Sequence, residues 1–249
     1  MTRKLIIDCK SGASGDMVLG AFINLGVSEE TLRKGLDALG VNEFSLEINE
    51  VDRNGIIATD VDVILHDKKS ALTHPYSGEY RNYAEIKEII RNSGITDGAK
   101  ELSLRIFDIK AAAEAIAHGV EQDKVQFHEA GAVDSIVDIV GCAICFDSLG
   151  VSEVISSKVP TGYGTIMCAC GELPVPAPAV QEILKATGLP HYRSDIEQEL
   201  LTPTGASILA ALVDKFEDNI SHEGSYKYGY GTGKRDTGLD PLCFMLSDN

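Results

Sequence analysis

The stretch LIIDCKSGASGDMVLGAFINLG, Leu5–Gly26, decides how the chain is read. LIIDC is a short apolar run of buried-strand type. KSGASGD is a turn rich in Gly and Ser, and MVLGAFINLG has the length and apolar spacing of a helix. A strand, a glycine-rich loop and a helix in that order place backbone N–H groups at the loop, where an anion can be received at the positive end of the helix. No Gly-Lys-Ser/Thr closes the loop, so it is not a Walker A loop. Asp16 inside the turn opposes a bare phosphate, so an intervening cation fits, and capping of the helix by Ser14 or Asp16 accounts for the turn equally well.

Outward from this unit, FSLEINEV (44–51) and IIATDVDVIL (56–65) alternate with period two on either side of Asn54-Gly55, a two-residue hairpin signal. HDKKSALTHPYSGEYRNY (66–83) reads as an exposed polar loop before the helix AEIKEIIRNSG (84–94). Apolar residues at spacings of three and four predict a long helix over 99–118, with Gly119 as its stop. A second helix is predicted over Val133–Leu149, a strand over 151–160, and a Pro-rich connection over 171–179 with a helix resuming at Val180. Thr202-Pro203 is a cap-and-first-turn signature for a helix to Leu212. SYKYGYGTG (225–233) and LCFML (242–246) read as closing strands. The expected class is α+β (mixed α/β): a strand-loop-helix start, a β-hairpin and amphipathic helices packed on a mixed sheet.

With 249 residues, 44% of them hydrophobic, the chain can fill a sizeable core. A formal net charge of -16 argues against nucleic-acid binding, since no basic surplus exists to displace phosphate counterions. The apolar run near Met1 is far too short for a signal peptide and no run is long enough to cross a bilayer, so a cytoplasmic protein without a membrane partner is expected. Six cysteines without a secretion signal are expected as thiols or metal ligands.

Three further groups carry chemistry. In FHEAGAVDSIVDIVG (127–141), His128 and Glu129 precede a helix on which Asp134 and Asp138 share a face at i and i+4. Four hard or borderline ligands can converge there on one cation. Helix-dipole stabilisation explains Asp134 but not Asp138, which falls between Val137 and Ile139 in a run that reads as buried. Cys168 and Cys170, two apart, point to one side of an extended segment and suit a soft ion, whereas Cys142 and Cys145 read as small core residues. Thr202, Thr204 and Gly205 in ELLTPTGAS, with Lys234 and Arg235 in GYGTGKRD, make a second anion site beside Ser11, Gly12, Ser14, Gly15 and Asp16 of the first loop. His118 reads as a residue favouring its helix end, and His191 and His222 as surface or capping residues.

Taken in order, IIDCKSGASGDMVLGAFINLG, VDRNGIIATDVDV, FHEAGAVDSIVDIVG, LPVPAPA, ELLTPTGAS and GYGTGKRD resemble the LarC family of nickel insertion proteins, over essentially the whole chain. The resemblance implies a nickel chelatase of the lyase class. Such an enzyme inserts Ni2+ into pyridinium-3,5-bisthiocarboxylic acid mononucleotide, forming two nickel–sulfur bonds and one nickel–carbon bond, with CTP and Mn2+ or Mg2+. It implies His128 or Glu129 as the acceptor of the ring proton, and a nickel-holding set drawn from His128, Glu129, Asp134, Asp138, Cys168 and Cys170. The substrate phosphate would fall to SGASGD, TPTG or Lys234-Arg235. The chain departs from the family pattern at Cys170, where relatives carry His, and in the loop after the hairpin, where only His66 and His74 stand in place of a His-rich insert. Residues 1–249 correspond to the family's N-terminal portion, expected as one compact unit or two subdomains meeting near residues 67–82. A partner is then the family's C-terminal, nucleotide-associated portion, and self-association into a homo-oligomer is left open.

Overall fold

The computed structural model describes residues 3–66, 81–127, 132–168 and 171–248. The polar loop expected around 67–80 lies outside the described residues, as do His128, Glu129 and Cys170. Seven strands form one mixed sheet: β1 (Arg3–Asp8), β2 (Phe44–Arg53), β3 (Ile56–Leu65), β4 (Glu153–Ser156), β9 (Lys215–Phe216), β10 (Lys227–Thr232) and β11 (Leu242–Asp248). Their order is β2-β3-β10-β11-β1-β4-β9. β1 pairs antiparallel with β11 and parallel with β4, and β10 joins the β2–β3 hairpin parallel to β3. Strands from both sides of segment 67–80 thus share one sheet. Two short pairs stand apart from it: β5 (Val159–Pro160) with β8 (His191–Tyr192), and the hairpin β6 (Thr165–Cys168) with β7 (Gly171–Pro174).

Among the described residues there are seven α-helices: α1 (Gly15–Asn24), α2 (Glu29–Asp37), α3 (Tyr83–Asn92), α4 (Asp97–His118), α5 (Val133–Leu149), α6 (Pro178–Thr187) and α7 (Pro203–Leu212). Their starts are written in the caps. Ser28 accepts from Thr31 N–H, Asn82 and Glu85 form a capping box, Thr96 accepts from Ala99 N–H and Thr202 from Gly205 N–H. Asn54 and Gly55 both take positive φ, 55° and 81°, as a two-residue hairpin turn requires. Helix α2 and the β6–β7 hairpin are additions to the elements expected from sequence. The start at Val133 and the span 203–212 are those expected.

Helix α1 lies on β10, β3 and β11; α5 packs over α1, and α4 packs against α5, α6 and α7. The close seat of α1 on β10 depends on Gly231, where a Cβ would come within 1.8 Å of Met17 O. Phe22 of α1 anchors this layer edge-on to Phe244 of β11, with ring centroids 4.9 Å apart. A second aromatic group, Tyr83, Phe107 and Phe127, holds α3 and α4 to the segment that leads to α5. Among the described residues no helix is long and apolar enough to cross a membrane.

Candidate functional site

The loop after β1 is pinned to the segment before α7. Ala13 N–H donates to Leu200 O (2.8 Å) and Thr202 N–H to Ala13 O (3.1 Å). Gly205 permits this contact, since a Cβ there would lie 2.1 Å from Ala13 O. The starts of α1 and α7 are therefore side by side. The turn after β10 completes the wall, enclosing a cleft of about 240 Å3 lined by Ser11, Ser14, Asp16, Thr202, Lys234 and Arg235, with Arg53 and Glu199 among its other walls. The three segments that compete for an anion in the sequence thus line one cleft. Thr204 and Gly205 sit in the first turn of α7, outside the cleft lining.

Its charges are largely committed to one another. Lys234 Nζ reaches Asp60 Oδ2 (2.6 Å) and Asp62 Oδ2 (2.7 Å), and Arg235 Nη1 reaches Glu199 Oε2 (3.0 Å). Burial works against the Lys234 ammonium, but the two aspartates outweigh it and hold its pKa above the usual lysine value. Ser14 does not cap α1 with its side chain; it donates instead to Asp16 Oδ1, which also accepts from Met17 N–H (2.8 Å). Burial pushes the Asp16 carboxyl above the usual carboxylate range, against the pull of these hydrogen bonds and of Lys234. Arg53 differs from the other cations. Its Nε donates to Thr232 Oγ1 (3.1 Å) and its Nη2 to Gly233 O (3.3 Å), and it forms no ion pair among the described residues. Sequence reading passed over Arg53, although its place beside the Asn-Gly turn puts it at the end of a strand.

Behind the cleft, Asp134 and Asp138 occupy the first turns of α5, both partly buried while Val137 and Ile139 are fully buried. Asp138 therefore lies on a polar stripe of α5, not in its apolar interior, and the stripe faces the start of α1 at Gly15. Beside it is Lys110 of α4, buried to 4% exposure, whose Nζ donates to Ser135 Oγ (2.7 Å) and Thr204 Oγ1 (2.8 Å) and sits 5.1 Å from the Phe127 ring centroid. Lys110 thus ties α5 to α7. The signal was present in α4, where Lys110 follows Ile106 and Phe107 at the spacing of the buried stripe.

The soft-ligand candidates lie elsewhere. Cys168 is at the end of β6 in the separate hairpin, with its thiol toward Gly171 O (3.1 Å). Among the described residues no three His, Cys, Asp or Glu side chains converge to hold a metal. Cys142 and Cys145 are core residues, and burial raises both thiols, that of Cys145 to about 12. His191 is exposed, with Nδ1 2.9 Å from Leu189 O, and His118 pairs with Glu114 one turn back. His222 is exposed, as its surface reading expects, but it also has a partner. Its Nε2 lies 3.0 Å from Oδ2 of Asp8, which is 6% exposed, and its ring stacks on Tyr228. The partners are more than 200 residues apart, so no local pattern announces the pair.

Comparison with known proteins bears on what this arrangement serves. The family model described as "Nickel insertion protein" matches residues 5–246. A pyridinium-3,5-bisthiocarboxylic acid mononucleotide nickel insertion protein of Acetivibrio thermocellus is 43% identical over 236 residues, covering 95% of this chain and 58% of the relative. Proteins of the same description from Alkaliphilus metalliredigens and Geobacillus kaustophilus are 42% and 41% identical, covering 100% and 93% of this chain and 62% and 56% of theirs. No solved structure matches the chain. The chain spans about three-fifths of the length of these curated relatives. On a match that runs from β1 to β11, the chain belongs to the nickel insertion protein family.

Proposed function

We propose that this chain acts in the insertion of nickel into pyridinium-3,5-bisthiocarboxylic acid mononucleotide, the substrate in the names of its relatives. The observation that carries the reading is the family match over residues 5–246 together with the cleft that the loop after β1, the start of α7 and the turn after β10 share. A mononucleotide brings a phosphate, and in this reading Ser11, Ser14 and Thr202 at the starts of α1 and α7 receive it, with Gly12, Gly15, Thr204 and Gly205 shaping the loop and the first helical turn behind them. Lys234 and Arg235 complete that wall, and Asp16 sets its hydrogen bonding.

Forming a nickel–carbon bond requires loss of a ring proton, and His128 or Glu129, at the entry to α5, takes it in this reading. Nickel itself is cargo. In this reading either His128 and Glu129 with Asp134 and Asp138 hold it before transfer, or Cys168 and Cys170 do so as thiolates. CTP with Mn2+ or Mg2+ drives the reaction, with the family's C-terminal portion as the partner that brings the nucleotide. The test is a mass measurement of nickel-containing nucleotide after incubation of the chain with substrate, Ni2+, Mn2+ and CTP, with and without that portion. Absence of the product in both mixtures would sink the reading.

A second reading is a nickel-binding or scaffold module that serves a separate catalytic subunit. His128→Gln and Glu129→Gln distinguish the two. Loss of turnover with nickel binding retained supports the enzyme, and turnover intact once metal is supplied supports the module.

A further inference from the structure

Arg53 is a cation in the cleft wall to which the substrate reading gives no role, although it stands in the stretch VDRNGIIATDVDV. An acidic protein, with 38 Asp and Glu against 22 Lys and Arg, offers a guanidinium many carboxylates. Lys234 and Arg235 have taken theirs from Asp60, Asp62 and Glu199. Arg53 has not, although the cleft it lines also contains Asp16 and Asp240. Its two hydrogen bonds, to Thr232 Oγ1 and Gly233 O, are to neutral groups, and they fix the plane of the fork through Nε and Nη2. Among the described residues Nη1 has no hydrogen-bond partner, so the Nη1–Nη2 edge of the fork faces a ligand. Of the acidic walls, Glu199 is paired with Arg235, and Asp240 Oδ1 accepts from the neutral Asn54 Nδ2 (3.1 Å).

We infer that Arg53 is the phosphate-recognition residue of this cleft, and that Lys234 and Arg235 serve to hold its walls. A pre-oriented fork without a carboxylate matches the oxygens of a phosphate monoester and loses little side-chain freedom on binding it. Thr202 lines the same cleft; its Oγ1 already accepts from Gly205 N–H (3.1 Å), so its own proton is available to a second phosphate oxygen. Already committed to carboxylates, Lys234 and Arg235 would have to give up an ion pair to do the same work.

This inference rests on the mononucleotide reading, and the experiment separates the two. Titration calorimetry is run with the bisthiocarboxylate mononucleotide and with its dephosphorylated nucleoside, which keeps both thiocarboxylates and lacks only the phosphate. For the wild-type chain, the mononucleotide is expected to bind the tighter. Arg53→Met should weaken the mononucleotide by about 10–100-fold, the range of a charge-assisted hydrogen bond, and leave the nucleoside within about twofold. Arg53→Lys, which keeps the charge and loses the fork, should fall between, and thermal unfolding of both variants checks that they fold. An Arg53→Met chain that still prefers the mononucleotide as strongly as wild type overturns the inference alone. A wild-type chain that binds both ligands equally overturns the inference and leaves the mononucleotide reading standing; one that binds neither overturns both.

Discussion

Asp138 of α5 rests against the backbone of Gly15 at the start of α1: a Cβ on Gly15 would lie 2.2 Å from Asp138 Oδ2 and 2.6 Å from its Cβ. The glycine that begins the loop-bound helix and the aspartate that reads oddly in an apolar run are thus two halves of one contact. Gly15→Ala should destabilise the chain by about 1–3 kcal/mol in denaturant unfolding, as overpacking of a fixed interface does. Adding Asp138→Ala should recover only part of the loss, because the Cβ of residue 138 remains in the way. Full recovery would mean that only the carboxylate is in contact.

Asp16 should limit stability at neutral pH. Burial raises its carboxyl pKa in the folded chain, so the unfolded chain ionises first as pH rises. Below the ordinary carboxylate pKa both states are protonated and nothing is lost. Above it, stability declines until Asp16 ionises in the folded state as well, and the deficit then persists. Asp16→Asn keeps an acceptor for Ser14 and Met17 N–H and removes the charge. Its melting temperature should exceed that of wild type at pH 7 and coincide with it near pH 3. Parallel melting curves across that range would contradict the assignment.

Lys110 should be more tolerant of shape than of absence. Lys110→Ala empties the space between α4, α5 and α7 and removes the donor to Ser135 and Thr204, at a cost of about 2–4 kcal/mol. Lys110→Met fills most of that volume without a desolvated ammonium and should cost about 1 kcal/mol or less, since a buried charge is replaceable by an apolar side chain of similar size. Equal losses in the two variants, measured by chemical denaturation, would show that the ammonium itself holds the helices.

His222 ties the segment before β10 to the end of β1. His222→Ala leaves Asp8 with Lys10 Nζ (2.9 Å) as its remaining partner and removes the ring stacked on Tyr228. Because the imidazole is 45% exposed, the expected loss is only about 1 kcal/mol. Proteolysis of residues 217–226 should accelerate more than global unfolding does. A change in global stability without faster local cleavage would count against this tether.

The parts legible in the sequence were those encoded by neighbours along the chain. Asn54-Gly55 announced the hairpin, Thr202-Pro203 announced α7, and the apolar run beginning at Val133 announced α5. Helix α2 was legible in the Ser28 cap and the i,i+4 pair Leu32 and Leu36, but its nine residues are short and strongly polar, which hid it. The β6–β7 hairpin escaped because its strands are four residues each, with exposed positions alternating with partly buried ones. The candidate site was legible as fragments: the loop at 11–16, the cap at 202–205 and the basic pair at 234–235 each carried an anion signal, but not their shared cleft. Which cations are neutralised within it also depends on long-range pairs such as Arg235–Glu199 and Lys234–Asp60, which no spacing rule contains.

Amide hydrogen exchange of the chain with and without the bisthiocarboxylate mononucleotide probes the three walls of the shared cleft at once. Binding should slow exchange together in 11–17, 199–205 and 232–241, and leave the β6–β7 hairpin at 165–174 unchanged when nickel is absent. Protection confined to one of the three segments, or appearing in the hairpin alone, would contradict it.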